Sequence, residues 1–139
     1  MRNMSFRLTS AQVLDRSKSV TRRVGWKFLK AGDLLQAVAQ NQGLKKGAHV
    51  TKLAVLRVDH VSHEWMSDFV HRPDAQDECR REGFPELTPR EFTTLFRHAH
   101  GHPGADDLRV TRIAFSYVDE GRFAAVQNGA VGQTPDGSE

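Results

Sequence analysis

The chain predicts an α+β domain shaped as a small, partly open β-barrel of four or five strands with short helices around it. Two observations lead there. Short stretches of β-branched and aromatic residues recur from Ser5 to Val118 and are separated by glycine, asparagine and aspartate turns. One strong helix start, Thr88-Pro89-Arg90-Glu91, stands between the last two of them. At 139 residues the chain makes one domain with one core. Its 38% hydrophobic and 27% charged content is that of a globular protein.

Ser5-Phe6-Arg7-Leu8 alternates polar and apolar residues, as a half-buried strand does. Thr9 or Ser10 can cap a short helix to about Asp15, with Val13 and Leu14 turned inward. Ser17 to Trp26 reads as a loop, followed by a compact aromatic cluster, Trp26-Lys27-Phe28-Leu29. Ala31-Gly32-Asp33 marks a turn before a strand at Leu34–Val38. Gln42 to Gly47 reads as a hairpin loop, and Leu53–Val61 as the strongest strand. Helical turns are expected between Glu64 and Glu82, broken near Pro73. Thr88 can cap the amide of Glu91, and Pro89 suits the first helical position. Phe92, Leu95 and Phe96 then share one helix face. Val110–Val118 makes the last strand, with Ile113, Phe115 and Tyr117 on one side. The domain is expected over residues 1–119, with a tail over 120–139 that is disordered from about 128.

Charge is divided unevenly. Residues 1–57 hold 12 Lys and Arg against 2 Asp and Glu, whereas residues 58–139 hold 8 against 15. Such a division points to a polyanionic partner, or to two halves that neutralise each other on folding. No apolar run approaches the roughly 18–20 residues that span a bilayer, so no membrane partner is expected. The amino-terminal residues lack the apolar core of a secretion signal. With Cys79 as the only cysteine, no disulfide forms within the chain, and a reducing cytoplasm is the simplest compartment.

Between Arg16 and Lys30 lie six basic residues and no acidic one. Inside this run, Lys18-Ser19-Val20-Thr21-Arg22-Arg23 sets an amine three residues from a hydroxyl. A turn brings the two within reach. A lysine acts as a base only after losing its proton, against a reference pKa near 10.4. Burial and neighbouring positive charge both push that value down, and Arg22 and Arg23 supply the charge. The same residues also suit simple phosphate binding, or a solvated basic loop. Trp26 adjoins the loop and can stack on a base, and Lys27 follows it. Lys45 and Lys46, with His49 and Lys52, can extend a phosphate track. His98, His100 and His102 alternate as metal ligands can, but fit a helix end better, so neither metal nor cofactor is expected. Trp65 is expected in the core, Cys79 as a buried apolar residue, and Glu82 read by itself as a surface carboxylate.

From Ser5 to Val118 the chain resembles the ASCH family of the PUA-like superfamily. The resemblance is carried by the Lys18–Arg23 motif, by Leu29-Lys30-Ala31-Gly32-Asp33-Leu34, by Arg81-Glu82-Gly83-Phe84 ahead of Leu87–Phe92, and by Thr111–Phe115. It implies a twisted barrel with a cleft, and a link to RNA. One bacterial group of the family hydrolyses N4-acetylcytidine with a lysine, a threonine three residues later and a distant glutamate. The matching positions are Lys18, Thr21 and Glu82, and the arginine that follows the motif matches Arg23. Arg16-Ser17 stands where that group has a glycine, and Ser19 where it has a threonine.

The resemblance therefore implies an amidohydrolase acting on an acetylcytidine-like nucleoside. Lys18, Thr21 and Glu82 are its catalytic residues, and Arg22, Arg23, Trp26, Lys27, Lys45 and Lys46 contact the substrate. The alternatives are a non-catalytic module that binds RNA or a modified base, and a ribonuclease using the same cleft. RNA or a modified pyrimidine nucleoside is the expected partner.

Overall fold

A computed structural model describes residues 1–39, 50–101 and 107–119. Five strands form one sheet: β1 (Arg2–Ser5), β2 (Val20–Arg23), β3 (Leu34–Val38), β4 (Lys52–Trp65) and β5 (Arg109–Val118). The order across the sheet is β1-β3-β4-β5-β2, so β1 and β2 are its two edges among the described residues. Only the β1–β3 pair is parallel. Three α-helices accompany the sheet: α1 (Ser10–Leu14), α2 (Ala75–Arg81) and α3 (Pro89–Ala99). This is the α+β architecture that the sequence predicts. No helix among the described residues is long and apolar enough to cross a membrane.

β3 spans the predicted residues. β4 runs longer than predicted, to Trp65, and a bulge between Val58 and His60 lets it continue alongside β5. The α3 start is a full capping box: Thr88 accepts from the Glu91 amide, and the Glu91 side chain accepts from the Thr88 amide. Phe92 and Phe96 are buried on its inner face.

Four expectations are corrected. The first strand is Arg2–Ser5, and Arg7–Thr9 forms a 3₁₀ turn, because β1 takes its register from β3 rather than from its own alternation. Residues 20–23 form a strand instead of a loop, since β5 supplies the partner that Val20 and Thr21 need. Leu14 is exposed, because α1 ends after one and a half turns and buries only Val13. Trp65 is 45% exposed, with the Arg109 guanidinium 5.2 Å from its ring centre, rather than in the core. The helical turns after Trp65 comprise a 3₁₀ segment, Met66–His71, and then α2, with Pro73 in the break between them. The hairpin loop at 42–47, Lys45, Lys46, His102 and the tail at 120–139 lie outside the described residues.

Two apolar clusters make the interior. One joins the sheet to α1 through Met4, Phe6, Val13, Leu35, Leu56, Ile113 and Phe115. The other joins the helices to the far end of β4 and β5 through Met66, Phe69, Cys79, Phe92, Phe96 and Val110.

Candidate active site

The segment after α1 is pinned from several sides before it enters β2. The Lys18 amide donates to Gln12 O, and the Ser19 amide to Arg81 O at 2.8 Å. The Tyr117 hydroxyl donates to Lys18 O at 2.6 Å, and the Phe115 amide to Ser19 O. These bonds fix Lys18 at the junction of the sheet and α2. Glu82 follows the last turn of α2, where Gly83 takes a left-handed φ of 101° and reverses the chain. Gln12 Nε2 donates to Gly83 O, tying this reversal back to α1.

Lys18 Nζ donates to Glu82 O at 2.6 Å and to Glu82 Oε1 at 3.1 Å. Both side chains are buried, with 3% and 4% of their surface exposed. Burial lowers the Lys18 pKa from its usual 10.5, with Arg23 and Arg22 adding to the fall, while Glu82 opposes it. The buried position of Glu82 corrects the reading of it as a surface carboxylate. Thr21, also buried, accepts a hydrogen bond from Arg23 Nε at 3.1 Å. Its own hydroxyl hydrogen is left to donate elsewhere. Residues 21 and 23 share a side of β2, as alternate strand residues do.

Lys18, Thr21, Arg22, Arg23, Trp26 and Glu82 all line one cavity of about 520 Å³. Its other walls come from Asn3, from residues 5–9 and from the apolar face of α3, with Phe84 beside it. Trp26 reaches this cavity from a tight turn in which both Gly25 and Trp26 have left-handed φ, 86° and 56°. Thr111 Oγ1 donates to Gly25 O at 2.5 Å and holds that turn.

Arg22 lines the cavity, but its donors are turned to carboxylates. Its Nε donates to Glu64 at 2.7 Å, Nη1 to Glu82 at 2.9 Å and Nη2 to Glu78 at 2.6 Å. With a side chain 0% exposed, it anchors three carboxylates. Lys27 is exposed and does not line the cavity. Sequence reasoning missed Glu78, Glu64 and Tyr117 as supports, and Arg7, Phe84 and His100 as cavity walls. Their separations in sequence carry no local signal. His100 stacks on Phe96, and its Nδ1 donates to Phe96 O at 3.0 Å. No three His, Cys, Asp or Glu come together as a metal site among the described residues.

No family model matches the chain, and no curated protein matches it in sequence. Solved structures do resemble it. Protein EF3133 from Enterococcus faecalis V583, assigned to DUF984, superposes with a TM-score of 0.54 at 15% identity, over 96% of this chain and 85% of that one. Hypothetical protein PH0355 gives 0.53 at 13% identity, over 84% and 96%. An ASCH domain from Lactobacillus crispatus JV V101 gives 0.49 at 14% identity, over 84% and 78%. The first two likenesses, taken with the five-stranded sheet and its short helices, concern the fold alone, and that fold is the α+β one the sequence predicts.

Proposed function

We propose that the cavity hydrolyses the N4-acyl amide of a cytidine-like nucleoside. One observation carries this reading: a buried lysine with a lowered pKa, a carboxylate bonded to it and a hydroxyl all face a single cavity. Perturbed titratable groups converging in a cleft are what acyl-transfer chemistry requires. The volume of about 520 Å³ suits a small molecule.

In the reaction, the neutral Lys18 amine takes a proton from the attacking hydroxyl, that of Thr21 or of a held water. The oxygen adds to the acyl carbonyl and forms a tetrahedral oxyanion. The C–N4 bond then breaks, and its electron pair leaves with the exocyclic nitrogen. That nitrogen receives the proton from Lys18 by way of Glu82, across their 3.1 Å bond. If Thr21 attacks, water afterwards hydrolyses the ester it forms. Arg23, donating to Thr21 Oγ1, steadies negative charge on that oxygen.

The test is incubation with N4-acetylcytidine, with cytidine and acetate measured by chromatography. Lys18→Ala lowers turnover by about 10²–10⁴-fold, the usual contribution of a general base. Thr21→Val is the companion variant, since it leaves the Lys18–Glu82 pair intact. Far-UV circular dichroism checks that both fold. Full activity in a folded Lys18→Ala protein refutes the mechanism. Saturable nucleoside binding without product, in the wild type, supports a binding module instead. Trp26 beside the cavity favours that second reading, since an indole there can stack on a base.

A further inference from the structure

We propose that the cavity's ligand carries a phosphate, gripped by Arg23 and Arg7, so that the substrate is a nucleotide rather than a free nucleoside. The inference rests on the nucleoside reading above and narrows its substrate class. It starts from the contrast between two consecutive arginines. Arg22 has a carboxylate on each of its three nitrogens. Arg23 pairs with no carboxylate among the described residues. Its Nε donates to Thr21, and its guanidinium carbon lies 4.7 Å from the Phe6 ring centre. Neither Nη1 nor Nη2 has a hydrogen-bond partner among the described residues, although Arg23 lines the cavity.

Arg23 is half-buried and feels Glu82 only at a distance, and a guanidinium partly withdrawn from water without a directly bonded anion is costly. A planar, forked donor left open in a cavity is the shape that receives an oxyanion through two parallel bonds. The charge balance of the walls agrees. Lys18 is matched by Glu82, and Arg22 is matched by Glu64 and Glu78 from behind. Arg23 and Arg7 remain as surplus positive charge. Arg7 lies in the exposed 3₁₀ turn on the cavity wall and forms no ion pair among the described residues. Phosphate is the anion that a nucleoside scaffold most directly presents. The two sources, a 5′-monophosphate and the phosphodiester of a polynucleotide, share this chemistry.

Titration calorimetry of the full chain with cytidine, with cytidine 5′-monophosphate and with a short cytidine-containing oligonucleotide tests it. The monophosphate or the oligonucleotide binds at least about tenfold tighter than cytidine, and that advantage shrinks at high salt, as phosphate contacts require. A gain seen with the monophosphate identifies a mononucleotide site. A gain seen only with the oligonucleotide identifies the diester. Arg23→Ala brings the ratio close to one, and Arg7→Ala lowers it from the rim, where folding does not depend on the side chain. Equal binding of all three ligands, absence of binding, or an advantage that survives both substitutions overturns the proposal. Hydrolysis of N4-acetylcytidine and its 5′-monophosphate, run alongside, separates the two ideas. Equal turnover of both leaves the hydrolase without the phosphate site. Phosphate-dependent binding without turnover leaves the phosphate site without the hydrolase.

Discussion

Adjacent residues of a strand reach opposite faces, and on β2 this gives Arg22 and Arg23 their different electrical settings. Arg22 meets carboxylates, while Arg23 meets Thr21 and Phe6. Burial next to these cations also acts on the one thiol. Cys79 is 0% exposed, and burial, with help from Glu82, pushes its pKa up to about 11. A thiolate is the reactive form. The thiol is therefore expected to resist an aromatic disulfide reagent at pH 7.5 in the native protein and to react fully in denaturant. Rapid labelling of the native protein would show that the α2 packing opens. At this scale the sequence reveals what is local. The Lys18–Thr21 spacing lies within one segment, and the burial of Cys79 follows from its residue type, although Glu78, Arg80 and Arg81 around it are charged. The carboxylate partners of Arg22 have no local signal, since the three glutamates are 42, 56 and 60 residues away.

At the scale of elements, local chemistry that completes itself was legible, and chemistry completed by a distant partner was not. The α3 capping box closes within four residues, and β3 is bounded by its own turn. β2 has four residues and becomes a strand only because β5 lies beside it. The reversal after α2 belongs to the first kind and bears directly on the site. The Gly83 amide donates to Arg80 O and the Phe84 amide to Cys79 O, closing the helix end with a left-handed residue. A Cβ at Gly83 would stand 3.0 Å from Gln12 Cγ, on top of the strain of its φ of 101°. Gly83→Ala is thus expected to cost more than about 1 kcal/mol of stability. It also displaces the Gln12 bond and with it Glu82, the preceding residue. Urea unfolding measures the first effect. A fall in N4-acetylcytidine turnover, in protein still folded at assay temperature, measures the second. Unchanged stability would mean that the reversal relaxes without strain.

Across the whole molecule, folding pairs off part of the lopsided charge of the sequence. Lys18 and Arg22 from the basic half bind Glu64, Glu78 and Glu82 from the acidic half. The resulting ionic network also takes in Arg72 and Arg112, and it lies where the sheet cluster meets the helix cluster. Glu78 is its centre and is 0% exposed. Burial alone would raise its pKa, but hydrogen bonds from Arg112 and Arg22 outweigh burial and hold it at about 2, against a usual 4.5. A carboxylate depressed in the folded state binds fewer protons there than in the unfolded chain. Its stabilising contribution is therefore complete above about pH 4.5 and is lost as pH falls towards 2. The difference in unfolding free energy between the wild type and Glu78→Gln is expected to shrink by about 3 kcal/mol over that window, at 1.36 kcal/mol per unit. Urea titrations of both proteins at pH 6, 4.5, 3 and 2.5 measure it. Glu78→Gln removes the charge and keeps the shape, so packing effects stay constant along the series while the ionic effect does not. A difference that holds steady from pH 6 to 2.5 would mean that the four guanidinium groups around Glu78 leave its titration unchanged, and that the two clusters are joined by packing alone.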